Sequence, residues 1–224
     1  MKITWLGQAG LLFETDDLKV MIDPYLSDCV NRMAGRRRMV SPAMEAKDIS
    51  CDAIICTHNH LDHLDVDLIK EMNKDDVTFC APLDCEETLL SLGVKDYISF
   101  KCGKVISIGK FRLEAVYAKH TVPAVGVVVT YNGKRLYFTG DTLYDKKLEN
   151  IKCDILFVCI NGKLGNMNVC EAIKLTKKIQ PRKGIPNHYG MFESNTENPR
   201  KYTDNVEDGF IMEYNKEYEM EKLI

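Results

Sequence analysis

The chain has 224 residues, 45% of them hydrophobic, and its 30 basic and 33 acidic side chains give a formal net charge of −3. This length and apolar content suit one domain over residues 1–224, and the balanced charge argues against a nucleic-acid partner. No segment has the apolar length of a membrane span or the pattern of a signal peptide, so we expect a cytoplasmic protein without a membrane partner, and a homo-oligomer is compatible with these properties.

The nine cysteines show no metal-binding spacing. None of them forms a C-x-x-C pair, and several, such as Cys56 and Cys159, stand inside apolar runs. This pattern favours buried, reduced thiols and gives no reason to expect a cysteine-based zinc site.

Short runs rich in branched and aromatic residues, separated by turn-prone residues, predict many strands. In the first half of the chain we predict strands at Ile3–Leu6, Leu11–Glu14, Lys19–Ile22, Ala53–Cys56 and Thr78–Ala81. In the second half we predict strands at Val105–Ile108, Arg112–Tyr117, Gly126–Tyr131, Arg135–Thr139 and Ile155–Ile160. The dipeptide Asn132-Gly133 predicts a tight hairpin turn.

Capping residues followed by helical spacing predict three helices. Asp65 caps a helix that ends near Met72, and Asn168 caps one that ends near Lys178. A third, short helix is predicted after Asp84, with a capping-box glutamate three residues on.

The order of these elements predicts the fold class. A β-rich segment, an α/β segment, a second β-rich segment and a second α/β segment follow one another along the chain. That order predicts two packed sheets with helices outside, a four-layer αββα sandwich. The segment Pro24–Pro42 is predicted to be a loop, and the last thirty or so residues show no clear pattern.

The run Thr57–His63, with the sequence Thr-His-Asn-His-Leu-Asp-His, carries the strongest chemical signal. It follows a predicted strand and precedes a predicted helix, so several close side chains can converge on one point. Three of the five histidines in the chain stand here. A polar strand-end loop without function is the ordinary alternative.

The other two histidines and one aspartate complete a candidate ligand set. His120 and His188 each follow a strand-like segment, and Asp141 follows the strand Arg135–Thr139 on a turn from which a carboxylate can bridge two cations. Every donor is an imidazole nitrogen or a carboxylate oxygen, so zinc, manganese and iron all fit. We therefore expect one or two divalent transition metals at His58, His60, Asp62, His63, His120, Asp141 and His188.

The H-x-H-x-D-H run, the later histidine, the Gly-Asp pair and the final histidine resemble the metallo-β-lactamase superfamily. The resemblance extends from the segment Ile22-Asp23-Pro24 to His188 and implies the four-layer fold of that superfamily. It implies a first ligand set of His58, His60 and His120, and a second of Asp62, His63 and His188. Asp141 would bridge the two, and Asp23 would orient the ligands.

The resemblance also implies a metal-dependent hydrolase. A metal-bound hydroxide would attack a carbonyl or phosphoryl centre, and the metals would stabilise the developing negative charge. Asp62 would be a catalytic residue, acting as both a ligand and a proton acceptor.

A narrower resemblance is to the ascorbate-6-phosphate lactonase branch. It rests on the runs Asp23–Asp28, Ile160–Gly162, Gly165–Met167 and Ile185–Tyr189. It implies a lactone or ester of a small, phosphorylated, sugar-like substrate, with manganese as the typical metal. Substrate contacts are predicted for Arg36, Arg37 and Arg38, whose guanidinium groups suit phosphate, and for Asn161 and Tyr189. A solvated turn is the alternative for the arginines, and a packing role is the alternative for Tyr189.

Three other functions remain open. The same metal pair serves phosphodiesterases and nucleases, although this chain has no long basic arm. A redox di-iron protein is less favoured, because its family usually has glutamate where His60 stands. A non-catalytic metal-binding scaffold would keep the ligands without turnover.

Overall fold

The structure is a computed structural model that describes residues 1–224. In chain order the strands are β1 (Lys2–Gly7), β2 (Gly10–Glu14), β3 (Lys19–Ile22), β4 (Ala53–Ile55), β5 (Thr78–Ala81), β6 (Asp96–Ser99), β7 (Val105–Ile108), β8 (Phe111–Tyr117), β9 (Val125–Tyr131), β10 (Lys134–Phe138), β11 (Ile155–Cys159), β12 (Lys183–Asn187) and β13 (Glu217–Glu219). The α-helices are α1 (Cys29–Ala34), α2 (Val66–Glu71), α3 (Glu86–Ser91), α4 (Val169–Ile179), α5 (Arg200–Thr203) and α6 (Met220–Leu223).

The strands form two mixed sheets. The first sheet has the order β13-β1-β2-β3-β4-β5-β6, and the second has the order β12-β11-β10-β9-β8-β7. Strands β3 to β6 run parallel in the first sheet, and β10 to β12 run parallel in the second. Because parallel strands point their carboxyl ends the same way, the loops that leave them gather at one edge of each sheet.

The alternation of side chains in the first sheet supplies two separate cores. In β2, Leu11 and Phe13 belong to the large core between the sheets, whereas Leu12 belongs to a smaller core on the outer face. Phe13 meets Phe157 of the second sheet edge to face, with ring centroids 6.5 Å apart. On the outer face, helices α2 and α3 cover the smaller core with side chains that include Leu68. The period of two in a strand therefore determines which layer each residue contacts.

Helix α4 contributes the layer beside the second sheet. Its Ala172, Leu175 and Ile179 are buried at helical spacing. Asn168 Oδ1 accepts a hydrogen bond from Glu171 N at 3.0 Å, and Glu171 Oε2 accepts one from Asn168 N at 3.0 Å. Such a cap stabilises a helix by about 1 kcal/mol. With helices outside both sheets, the predicted four-layer sandwich is confirmed.

Some local predictions were wrong. Asp84 does not cap α3, because Leu83–Cys85 form a 3₁₀ turn that leads directly into the helix without a side-chain cap. Helix α1 lies within the predicted loop Pro24–Pro42, and its N-terminus also has no side-chain cap that could have indicated it. None of the helices combines the length and apolar character needed to cross a bilayer.

Candidate metal centre

The predicted ligands come from loops that leave four strands at the same end of the molecule. The run His58–His63 follows β4, and His120 follows β8. Asp141 follows β10, and His188 follows β12. The two sheets thus bring together side chains that are up to 130 positions apart in the chain, and Asp23 joins them from the end of β3.

The first group of donors consists of His58, His60, His120 and Asp141, whose ligand atoms all lie within 4.8 Å of one another. His60 Nδ1 lies 2.9 Å from His58 Nε2 and 3.3 Å from His120 Nε2. Asp141 Oδ2 lies 3.9 Å from His120 Nε2. These atoms face one common point, as the donors of a single cation do.

The second group consists of Asp62, His63 and His188, whose ligand atoms also lie within 4.8 Å of one another. His63 Nε2 and His188 Nε2 are 3.4 Å apart, and Asp62 Oδ2 lies 3.7 Å and 3.6 Å from them. Asp141 Oδ1 lies 3.4 Å from His63 Nε2 and 3.2 Å from His188 Nε2. One oxygen of Asp141 therefore faces each group, which is the arrangement of a bridging carboxylate.

The electrostatics of the first group fit a cation. Burial lowers the pKa of His58 well below its ordinary value, and burial also lowers the pKa of His60 and of His120. These three imidazoles are therefore neutral near pH 7, and each has a nitrogen lone pair to offer. Neutral imidazole is the form that binds a metal ion.

The second group fits a cation for a different reason. Burial lowers the pKa of His63, but the carboxylates of Asp141 and Asp23 outweigh it and leave that pKa well above its ordinary value. Burial also lowers the pKa of His188, and Asp141 outweighs it and raises that pKa to about 9. The buried oxygen Asp141 Oδ1 makes no hydrogen bond. The carboxylates of Asp62 and Asp141 therefore favour a positive charge at the second group, and a divalent cation would supply it.

Asp23 contacts the centre through His63 and Thr57. It is fully buried, and its Oδ2 lies 2.7 Å from His63 Nδ1. It also accepts hydrogen bonds from the backbone and the hydroxyl of Thr57, both at 2.7 Å. The contact with His63 is the one that an orienting carboxylate makes, and it leaves His63 Nε2 facing the second group. The orienting role itself stays a prediction.

Three further residues hold the ligands and had no clear signal in the sequence. Gln8 Nε2 donates to Asp62 Oδ2 at 2.8 Å, and Asn166 Nδ2 donates to Asp141 Oδ2 at 2.8 Å. The carbonyl oxygen of Gly165 lies 3.1 Å from the Nδ1 atom of His120. Sequence separations of 25 to 54 residues hide these pairs, although Gly165 and Asn166 stand in one of the runs that resemble the lactonase branch.

An open cavity of about 420 Å³ lies over the centre. His60, Asp62, Asp141 and His188 line it from the centre, and Arg36 is the only arginine or lysine that lines it. The remaining lining residues include the apolar side chains of Val30, Ala34, Leu61, Leu164 and Phe192.

The other predicted substrate residues do not line this cavity. Arg37 is exposed to solvent, and Arg38 donates to the carbonyl oxygens of Tyr25, Ser27 and Val40 while its guanidinium lies over the Tyr25 ring. Arg38 therefore stabilises the loop and does not line the cavity, because its Nε and Nη1 atoms donate to backbone carbonyl oxygens.

Two more predicted substrate contacts are also buried in packing. Asn161 donates to Asn195 Oδ1 at 2.8 Å, so Asn195 and not Asn161 reaches the cavity. Tyr189 packs against Trp5 with ring centroids 4.8 Å apart. This contact fits a packing role for Tyr189, the alternative to a substrate contact.

The fold and the histidine–carboxylate centre define a metal-dependent hydrolase of the metallo-β-lactamase fold. The family model of the beta-lactamase superfamily domain matches residues 19–189, so the chain belongs to that superfamily. A UPF0173 metal-dependent hydrolase of Carboxydothermus hydrogenoformans is 30% identical over 207 residues, which cover 86% of each chain. The chain therefore belongs to the UPF0173 metal-dependent hydrolase family.

Solved structures agree on the fold. The metallo-beta-lactamase fold protein YhfI from Bacillus subtilis superposes with a TM-score of 0.74 at 18% identity, covering 97% of this chain and 98% of that one. An isothiocyanate hydrolase from Delia radicum gut bacteria gives a TM-score of 0.80 at 20% identity, with 98% and 99% covered. These two structures show the fold alone. The family model and the curated relative show the superfamily and the hydrolase family, and none of these comparisons supports the lactonase branch.

Proposed function

We propose that the chain hydrolyses an ester or lactone bond in a small molecule that carries an anionic group. The observation that carries this proposal is the position of Arg36, the only arginine or lysine of a cavity whose floor is the histidine–carboxylate centre. Membership of a metal-dependent hydrolase family gives the class of reaction, and the lining of the cavity supports the proposed class of substrate.

The seven predicted ligands would hold one or two cations of manganese, zinc or iron. When bound, such a cation lowers the pKa of water and stabilises negative charge that develops on a substrate oxygen. Asp62 lines the cavity with a side chain that is 19% exposed, so its carboxylate can accept a proton from the attacking water. Burial raises the pKa of Asp62, but His63 and His188 outweigh burial and leave that pKa well below its ordinary value. This proton acceptor is therefore ionised at neutral pH.

The walls of the cavity support the proposed substrate class. A guanidinium group binds a phosphate or a carboxylate through two parallel hydrogen bonds, which suits Arg36 to an anionic end. Leu61, Leu164 and Phe192 offer apolar surface to the rest of the molecule. The volume of about 420 Å³ falls within the range of about 300–1,000 Å³ that is typical of small-molecule sites. A compact substrate fits these walls better than a polymer does.

Support for ester or lactone chemistry comes from the narrower resemblance. Two of its runs contribute directly to the centre, one through Asn166, which donates to Asp141, and one through His188. The remaining runs, around Asp23 and Asn161, lie next to the centre and to the cavity wall. Manganese is the metal that this resemblance favours.

The test is a hydrolase panel of lactones, thioesters and phosphodiesters, run with the chain loaded with manganese, zinc or iron. Each lactone is offered with and without a phosphate group. We expect turnover of the phosphorylated lactone and its loss after chelation. Arg36→Ala should raise KM for that substrate by about 10- to 100-fold, the effect of one charge-assisted contact, and leave the unphosphorylated analogue nearly unchanged.

Arg37→Ala is the matched control, since it removes the same charge from the neighbouring position outside the cavity. It should change neither KM. Equal effects of the two variants on KM would contradict the role of Arg36. Turnover of phosphodiesters alone would instead assign the chain a phosphodiesterase activity. A metal-loaded chain that is inactive on the whole panel would favour the scaffold alternative.

A further inference from the structure

Gln8 reaches the second donor group from the far end of the chain. It stands in the turn between β1 and β2 and is fully buried. Its Nε2 donates to Asp62 Oδ2 at 2.8 Å and lies 3.2 Å from His188 Nε2. One amide group therefore touches the ligand atoms of two of the three residues in that group.

The backbone of Gln8 is also fastened to the centre. Its carbonyl oxygen accepts a hydrogen bond from His188 N at 2.9 Å and another from Trp5 Nε1 at 3.1 Å. Gln8 has a φ of +49°, a left-handed conformation that residues other than glycine seldom adopt. Such strain persists where the surrounding structure determines the conformation, and it is common at functional sites.

The orientation of the amide is determined by Asp62. Gln8 Oε1 is buried and makes no hydrogen bond. Rotating the amide by half a turn would satisfy nothing at Asp62, because it would place a carbonyl oxygen against a carboxylate oxygen. The Nε2 end of the Gln8 amide therefore faces the Asp62 carboxylate, although Oε1 receives no hydrogen bond.

We propose that Gln8 is the positioning residue of the second metal group. Its side chain holds Asp62 Oδ2 towards His63 and His188, and its backbone oxygen holds the His188 backbone in place. This inference rests on the proposed metal ligation by Asp62 and His188. It predicts that the two groups respond differently to changes at residue 8, because the first group has no contact with Gln8 in the hydrogen-bond network.

The test compares metal binding by the wild-type chain with that of Gln8→Ala and Gln8→Glu. Binding of Mn²⁺ and Zn²⁺ is measured by competition with a chelator, and Co²⁺ absorption spectra report the environment of each bound ion. In Gln8→Ala we expect one of the two metal-binding steps to lose about 10- to 100-fold in affinity, while the other step stays unchanged. Gln8→Glu has nearly the same shape, but its ionised carboxylate cannot donate to Asp62, so at a pH where the introduced carboxyl group is ionised it should show the same selective loss.

Gln180→Ala is the matched control. Gln180 is an exposed glutamine at the end of α4 with a φ of +55°, so this variant repeats the substitution in the same backbone conformation far from the centre. It should bind both metals as the wild-type chain does. Thermal melts of the metal-free forms separate a folding defect from a metal-binding defect, and Gln8→Glu keeps the volume of the side chain if Gln8→Ala does not fold.

The outcomes are distinct. Unchanged binding of both metals by the two Gln8 variants would overturn the inference and leave the proposed function intact. Tighter binding by Gln8→Glu together with unchanged binding by Gln8→Ala would also overturn it, since loss of the amide would then have no effect on the second group. A wild-type chain that binds no second metal would overturn the inference together with the two-metal form of the proposed function.

Discussion

Replacing Gly165 with alanine should weaken metal binding by displacing His120. Gly165 has a φ of +90°, and an added Cβ would lie 3.0 Å from His120 Nδ1 and 2.8 Å from Thr121 Cγ2. Distances this short cannot be kept, so the imidazole and the threonine methyl must both move. Gly165 also contacts His120 Nδ1 through its carbonyl oxygen, so the contact that orients the ring moves as well.

Gly165→Ala should change two quantities: the stability of the fold, through the backbone conformation, and the metal affinity, through His120. A left-handed alanine is less stable than a left-handed glycine by about 1–2 kcal/mol. In a chain of this size that loss lowers Tm by roughly 2–8 °C. Displacement of a residue that orients a metal ligand lowers metal affinity by about 10- to 100-fold. We expect both effects in Gly165→Ala.

Gly103→Ala supplies the comparison that separates the two effects. Gly103 has a φ of +88°, and an added Cβ there meets no atom within 4 Å. This variant should show the loss of stability alone. Urea denaturation of the metal-free proteins measures the stability of the fold, and chelator competition with Zn²⁺ measures the metal affinity. Equal metal affinities in the two variants would refute the role given to Gly165.

Two further outcomes are expected. Asp141→Asn keeps the shape of the side chain but removes its charge, so elemental analysis should find less metal per chain than in the wild type, and full metal content with full turnover would rule out bridging. Of the nine cysteines, only the exposed Cys102 and Cys170 should react rapidly with Ellman's reagent in the native chain at pH 8. Burial raises the pKa of the half-buried Cys51 and Cys153 to about 12, so they hold little of the reactive thiolate; a native count well above two would contradict this.

The fold was predictable where one local pattern decides the structure. Alternation in the segment Leu11–Glu14 assigns each side chain to one of two cores, and Asn168 marks the start of a helix. The run His58–His63 could be recognised because its donors are neighbours in sequence. The structure brings His120, Asp141 and His188 to that run, as the resemblance implied, and their role as ligands stays a prediction.

The parts that could not be predicted depend on contacts between distant segments. Gln8 stands 54 residues from Asp62 and 180 from His188, and no local pattern distinguishes it from an ordinary turn residue. The three arginines after α1 look equivalent in sequence. Only the path of the loop shows that Arg36 faces the cavity while Arg38 donates to backbone carbonyls.

The hydrogen bond from His188 N to Gln8 O joins residues 180 positions apart, so the two donor groups cannot form at the same stage of synthesis. During synthesis the run His58–His63 leaves the ribosome long before His188 does. Contacts of such large sequence separation close late, since the entropy of a long loop must be overcome first. The second donor group therefore cannot be complete in a nascent chain, whereas His58, His60, His120 and Asp141 are all available some fifty residues earlier. A cation captured during translation would have to enter at the first group, and loading of the second group would follow release of residue 188.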